Sequence, residues 1–280
     1  MRDNLINATN PDDSGERTLH AVSPSLGVVW RASPLSAVYA SLSSSFETPT
    51  TTELGNKPDG SAGINPELQP QRTLAMEIGS KGILSVAPVR WDVALFDARA
   101  RDELVPFDIP GGAGRRYYRN AGRTVRRGGE LGVEADAGSL GVRVAYSYSH
   151  FRYQEYIVGT TSYAGNRIPG VPEHALATTI AWRHDDLTLS TTADVASAVD
   201  VDDANSAEAA GHTILGVGAG TTLHLSGARL LPLVEIQNVA GVRTAGSVSV
   251  NATGGKFFEP APGRVLLVRL GISRDVIEHP

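Results

Sequence analysis

Three short runs carry the side chains from which chemistry is usually built: His184-Asp185-Asp186, the acidic run Asp200-Val201-Asp202-Asp203-Ala204-Asn205, and the basic, aromatic run Arg115-Arg116-Tyr117-Tyr118. A histidine beside two carboxylates can ligate a metal or move a proton. The trio, however, leaves only two residues for a chain reversal between two alternating segments, and Asp is a favoured turn residue. It reads as a solvated hairpin. Asp200–Asn205 offers oxygen ligands in the manner of a calcium loop, but an EF-hand needs Gly at its sixth position and Glu at its twelfth. Asn205 and Gly211 stand there, so this run reads as a hydrated acidic loop.

Other catalytic signatures are missing. The seven histidines include no H-E-x-x-H, and neither a G-x-S-x-G elbow nor a P-loop is present. With no cysteine, thiolate metal sites, disulfide frameworks and cysteine nucleophiles are excluded. The sequence gives no case for an enzyme, and no cofactor or metal site is expected. Arg115, Arg116, Arg119, Arg123, Arg126 and Arg127 around Tyr117 and Tyr118 form a pattern that nucleic-acid binders use. A net charge of -5 argues against that partner.

The elements that must position these residues are strands. Thirty glycines and sixteen prolines, with abundant Thr, Ser and Val, favour turns and strands, and no long segment sustains a 3.6-residue apolar period. Alternation is explicit in residues 140–148, where Leu140, Val142, Val144, Tyr146 and Tyr148 oppose Gly141, Arg143, Ala145 and Ser147. Leu187, Leu189, Ala193 and Val195 oppose Thr188, Ser190, Thr192 and Asp194 in the same way. Strands are expected near 19–31, 35–46, 71–84, 89–104, 116–136, 140–155, 174–184, 187–198, 212–224, 230–239 and 263–273, about eleven in all.

Periodicity alone serves a soluble sandwich as well as a membrane barrel. Connection lengths separate them. "ASP", "SVAP", "AGS", "DD" and "LSGAR" are tight turns at every second junction, whereas residues 47–70, 105–115, 156–173, 199–211 and 240–262 form connections of about 11 to about 24 residues. Strict short-long alternation is the pattern of outer-membrane barrels. The expected fold is therefore all-β, an antiparallel transmembrane β-barrel portion. No run of about 18 apolar residues is available for a membrane helix, and the first thirty residues lack the apolar core of a signal peptide.

At "SFETPTTTELGNKPDGSAGINPELQPQRTLAMEIGSKG" the sequence closely resembles the TonB-dependent outer-membrane receptors, in the region where a strand end, a long loop and an "NP-L-P-…-E-G-K/R-G" return occur together. The likeness continues in order through "WDVALFDARARDELVPF", "YYRNAGRTVRRGGELGVEA", "GNRIPGVPEHAL", "VEIQNVAG" and "FFEPAPGRVLLVRLGI". It covers nearly the whole chain.

The resemblance implies the C-terminal half of a receptor barrel that imports a ferric siderophore or similar scarce ligand with energy from TonB. It implies outer-membrane lipid and an iron complex as partners. TonB would be met only through a plug and TonB box missing from this chain. The expected organisation is 1–18 as the remnant of an extracellular loop, 19–273 as the half barrel and 274–280 as a tail. The chain departs from the family by running on through "SRDVIEHP" after its last strand. In such a receptor Arg115, Arg116, Tyr117 and Tyr118 would lie at the extracellular rim. There they would either hold an anionic, aromatic chelate or serve as interfacial aromatics and solvated or lipopolysaccharide-facing arginines. A small closed passive pore and a soluble β-sheet binding protein are the competing readings. The first requires first-to-last strand pairing and the second requires apolar faces packed on each other.

Overall fold

The computed structural model describes residues 2–3, 15–55, 57–58, 61, 63–85, 88–107 and 117–274. Its long strands are β1 (Ser25–Ser33), β2 (Ser36–Glu47), β3 (Gln71–Ile83), β4 (Val89–Phe107), β5 (Tyr117–Ala137) and β6 (Leu140–Glu155). They continue as β7 (His174–His184), β8 (Leu187–Ala196), β9 (His212–Thr221, resumed at Leu223–Leu225), β10 (Ala228–Gln237) and β11 (Val265–Arg274). Each pairs antiparallel with the next, in an uninterrupted meander. The sheet has 12 strand segments, and because two belong to β9 they amount to eleven strands.

The break in β9 has a local cause. Continuing its register sets Thr221 and Thr222 opposite Pro232 and Leu231, and proline has no N–H for the ladder. The Thr222 N–H donates instead to the Asp186 carbonyl at 3.0 Å. A similar effect shifts the first strand. It begins at Ser25 rather than near residue 19, after Pro24, whose carbonyl accepts the Ser44 N–H at 2.9 Å.

Tight turns join the strands at one end, and three of them use left-handed backbone, at Gly138 (φ 59°), Asp185 (φ 49°) and Gly227 (φ 77°). His184-Asp185-Asp186 is thus a hairpin turn at the short-turn end, as its sequence indicates. The long connections gather at the other end.

Register separates the two faces of the sheet. One line of directly paired residues reads Val89, Ala135, Val142, Ile180, Thr191, Val217, Ile236 and Leu266 across β4 to β11. The neighbouring line on the other face reads Arg90, Glu134, Arg143, Thr179, Thr192 and Gly216. Adjacent lines point to opposite faces, so one face is apolar and the other polar. On interior strands Ile78 stays 54% exposed and Leu95 60%. Apolar side chains this open on paired strands are what lipid requires and what packed sheets forbid. Fully buried residues collect instead beneath the long connections, with Leu54, Leu68 and Val201 at 2%, 1% and 0% exposure.

Among the described residues no ladder joins β1 to β11, so the sheet is open. In a strict meander of eleven strands these two edges run in the same direction. They cannot pair antiparallel with each other, and closure requires an odd number of further strands. Val28 on β1 and Val268 on β11 are 63% and 70% exposed, as unfinished edges demand.

Candidate functional site

The polar face forms the first part of the site. Small residues at Gly132, Ala145 and Ala177 leave a groove of about 600 Å³ along it, bordered by Arg90, Asp92, Glu134, Arg143, Thr179 and Asp194. Several of the charges on this face are paired in place. Glu134 lies 3.8 Å from Arg90 and 3.6 Å from Arg143. Arg183 reaches Asp136 at 3.4 Å, His212 reaches Asp194 at 3.0 Å and Arg269 reaches Glu235 at 3.0 Å. A wall of paired charges and hydroxyls suits water or another polar surface rather than lipid.

The second part is the loop cluster at the far end. Tyr153, near the end of β6, donates its hydroxyl to Asp203 Oδ1 at 2.7 Å, and Tyr156 donates to Oδ2 at 2.8 Å. Asn251 Nδ2 donates to the same carboxylate at 2.9 Å, and its Oδ1 accepts the Asp203 N–H at 3.0 Å. Asn166 Nδ2 donates to the Asp203 carbonyl at 2.8 Å. One carboxylate therefore ties three long connections, 156–173, 197–211 and 238–264, to the sheet. Asn205 adds a reciprocal pair with the Arg167 backbone, accepting its N–H at 2.7 Å and donating to its carbonyl at 3.0 Å.

This corrects the reading of Asp200–Asn205 as a merely hydrated acidic loop. Val201 is completely buried, and Asp202 binds Ser206 through both N–H and hydroxyl at 2.8 and 2.6 Å. The run caps and clamps its own turn while Asp203 reaches across the cluster. Among the described residues no group of His, Asp and Glu side chains is arranged to hold a metal ion.

Local electrostatics follow from this packing. Burial, reinforced by the Asp203 carboxylate, pushes the Tyr156 hydroxyl above its ordinary range, so it stays a donor. The hydrogen bond from His150 and the nearby Arg167 hold Glu173 below the usual carboxylate range. Arg167 Nη2 lies 2.8 Å from Glu173, joining the base of β7 to the preceding connection.

Of the four rim residues singled out in the sequence, Arg115 and Arg116 lie outside the described residues. Tyr117 opens β5 in register with Phe107 and is buried at 7% exposure, and Tyr118, opposite Pro106, is half-buried. Two residues on, Asn120 fixes the β2–β3 connection, accepting the Gln69 N–H at 2.6 Å and donating to its carbonyl at 2.7 Å. That connection also contains a short helix, α1 (Thr51–Leu54), started by a capping box in which Thr50 N–H donates to Glu53 at 2.7 Å. The T-x-x-E signal was present in the sequence. The Asp203 hub had no such signal, because its tyrosine partners lie 50 and 47 residues away.

Aromatic side chains mark both borders of the apolar face. Trp30, Trp91 and Trp182 stand near the tight turns. Toward the long connections stand Tyr146, whose hydroxyl meets His174 Nδ1 at 2.8 Å, and Tyr148, whose ring lies 5.2 Å from His174. Paired aromatic girdles around an apolar band, short turns below and long loops above define the wall of a membrane β-barrel.

The chain belongs to the TonB-dependent receptor-like β-barrel family, whose model matches residues 2–239 and whose members are outer-membrane proteins. Its fold is shared with the siderophore receptor PiuA from Acinetobacter baumannii, at 18% identity, a TM-score of 0.75 and 95% coverage of this chain. The unliganded ferric citrate transporter FecA follows at 18% identity, TM-score 0.72 and 89% coverage. The copper transporter OprC aligns at 15% identity, TM-score 0.68 and 89% coverage. The chain spans only 38%, 37% and 39% of these three structures.

Proposed function

We propose that this chain forms the C-terminal wall of an outer-membrane receptor that imports a ferric siderophore or similar iron complex with TonB-derived energy. The observation that carries the reading is the eleven-strand meander with an apolar outer face, a polar inner face with several paired charges and two open edges running the same way. Such a wall is completed by an odd-numbered set of strands and a plug, with TonB acting through that plug. Residues 19–273 supply the wall. Residues 1–18 belong to an extracellular loop, and 274–280 to a tail. Arg115, Arg116, Tyr117 and Tyr118 are the candidate contacts, whose guanidinium and aromatic groups would suit an anionic chelate.

The wall alone is not transport-competent. Unpaired N–H and C=O groups along β1 and β11 cannot be satisfied by lipid. The test is uptake of a radioiron-labelled siderophore panel by receptor-deficient cells carrying either the chain alone or the chain joined to the N-terminal half and plug of a related receptor. Uptake that appears only in the joined protein and depends on TonB is expected. Uptake by the chain alone, independent of TonB, would show a passive pore and contradict the reading.

A further inference from the structure

On the inner face, beside the tight turn that joins β1 to β2, four strands set out a basic hollow. Arg31 on β1 is directly opposite Ala37 on β2, Ala37 is opposite Lys81 on β3, and Lys81 is opposite Asp92 on β4. Residues in one such row share a face of the sheet, so Arg31 and Lys81 stand two strand spacings, about 10 Å, apart with only a methyl group between them. The gap is a groove of about 590 Å³. Arg90 borders it from the next row on the same face, and Ser33 and Ser36 border it at the turn, their hydroxyls 2.8 Å apart.

Cations are in excess here. Among the described residues neither Arg31 nor Lys81 makes an ion pair. Lys81 does not close on Asp92, although opposite charges in directly paired positions attract. Arg90 lies 3.8 Å from Glu134, a carboxylate that Arg143 shares at 3.6 Å. Arg31, Lys81 and Arg90 thus border the groove, and among the described residues Asp92 is the only carboxylate that does. All four side chains are exposed. Elsewhere on this face Arg183 and Arg269 have acidic partners of their own. A concave surface lined by uncompensated charge of one sign raises the local concentration of the opposite one.

We propose that this groove binds a multivalent oxyanion, a small molecule with two or more separated carboxylate or phosphate groups, at the short-turn end of the inner face. The inference rests on the reading of an anionic chelate crossing this wall, and it adds a second contact at the end opposite the long connections. The volume is that of a small-molecule site. A single phosphate would have to draw two long side chains across the gap, whereas an anion with separated groups meets Arg31 and Lys81 where they stand. The Arg31 fork suits a carboxylate in bidentate geometry and Lys81 supplies a point charge. Arg90 and the serine hydroxyls are further donors. Asp92, on the same row, repels the anion and keeps its hold reversible, as passage requires.

The test joins the full chain to the N-terminal half of a related receptor with its plug removed, so that in detergent the barrel is closed and its lumen open. Equilibrium dialysis measures binding of radiolabelled citrate, ferric citrate, acetate and inorganic phosphate. The proteins compared are the wild type, R31Q/K81Q, the charge-retaining R31K/K81R, D92N and the outward-face pair R72Q/R101Q, which removes equal charge. Strand content by circular dichroism confirms that each variant folds. R31Q/K81Q is expected to weaken citrate and ferric citrate by about a hundredfold, about tenfold for each cation removed. R31K/K81R should keep most of the binding, D92N should tighten it and R72Q/R101Q should leave it unchanged. Acetate and inorganic phosphate should bind about tenfold more weakly than citrate, or less. Equal losses in R31Q/K81Q and R72Q/R101Q, no tightening in D92N, or phosphate bound as tightly as citrate would each overturn the site. Radioiron uptake by the joined receptor with its plug restored separates the groove from the receptor reading. TonB-dependent uptake alongside citrate binding that R31Q/K81Q leaves unaltered would overturn the groove alone. Citrate binding lost in R31Q/K81Q, without uptake of any iron complex, would support the groove and contradict the receptor reading.

Discussion

Tyr153 and Asp203 are 50 residues apart in sequence, yet the tyrosine hydroxyl donates to the carboxylate at 2.7 Å and joins the upper end of a barrel strand to a loop two hairpins away. Tyr156 and Asn251 complete the same carboxylate, so the loop cluster has one shared anchor. Hydrogen bonds to charged groups contribute about 1.5 to 3 kcal/mol each, and they are not additive when they share an acceptor. Asp203→Ala is therefore expected to cost about 3 kcal/mol of local stability. Hydrogen exchange should quicken in residues 156–173, 197–211 and 238–264 while the tight-turn end keeps its protection. Uniform loss of protection would contradict a local role.

The cluster should also respond to acid through Glu173. Its folded value is lowered, chiefly by the hydrogen bond from His150 and further by Arg167. A depressed carboxylate contributes stability that is present above its unfolded value, 4.5, and is lost as pH falls through the folded value. Glu173→Gln should flatten the acid limb of loop protection below about pH 4.5. Proteolysis of the 156–173 connection as a function of pH checks this, and an unchanged acid limb in the variant would count against it.

On the polar face Tyr39 lies directly opposite Gly79, and a Cβ at Gly79 would overlap the Tyr39 ring. The glycine is thus a seat for an aromatic neighbour on the adjoining strand. Gly79→Val should destabilise the folded chain by about 1 to 3 kcal/mol through this overlap. Tyr39→Ala should relieve part of that cost. Urea unfolding of the two single variants and the double variant measures the coupling, and strict additivity would show that the ring and glycine do not interact.

Much of this architecture was written in the chain. Alternation and connection length place ten of the eleven strands within three residues at each end, because a sheet between lipid and water must repeat with period two along every strand. The first strand was set too early, since its ladder begins only at Ser25, after Pro24. The functional elements were less legible. Asp200–Asn205 looks hydrated in sequence, and only the fold brings Tyr153, Tyr156 and Asn251 to Asp203. A row of three arginines across neighbouring strands is invisible for the same reason. Arg72, Arg101 and Arg123 are scattered along the chain and become neighbours only through the registers of β3, β4 and β5.

The most direct test of the membrane wall is a cysteine scan of β3, which is free of interference because the chain contains no cysteine. Single cysteines at positions 73 to 78, labelled with an environment-sensitive fluorophore in the chain joined to a cysteine-free N-terminal half of a related receptor and reconstituted into vesicles, are exposed in turn to lipid-borne and aqueous quenchers. The account predicts that labels at Leu74, Met76 and Ile78 are quenched from the lipid, while those at Thr73, Ala75 and Glu77 are quenched from water. Quenching without this two-residue period, or aqueous access to both sets, would contradict it.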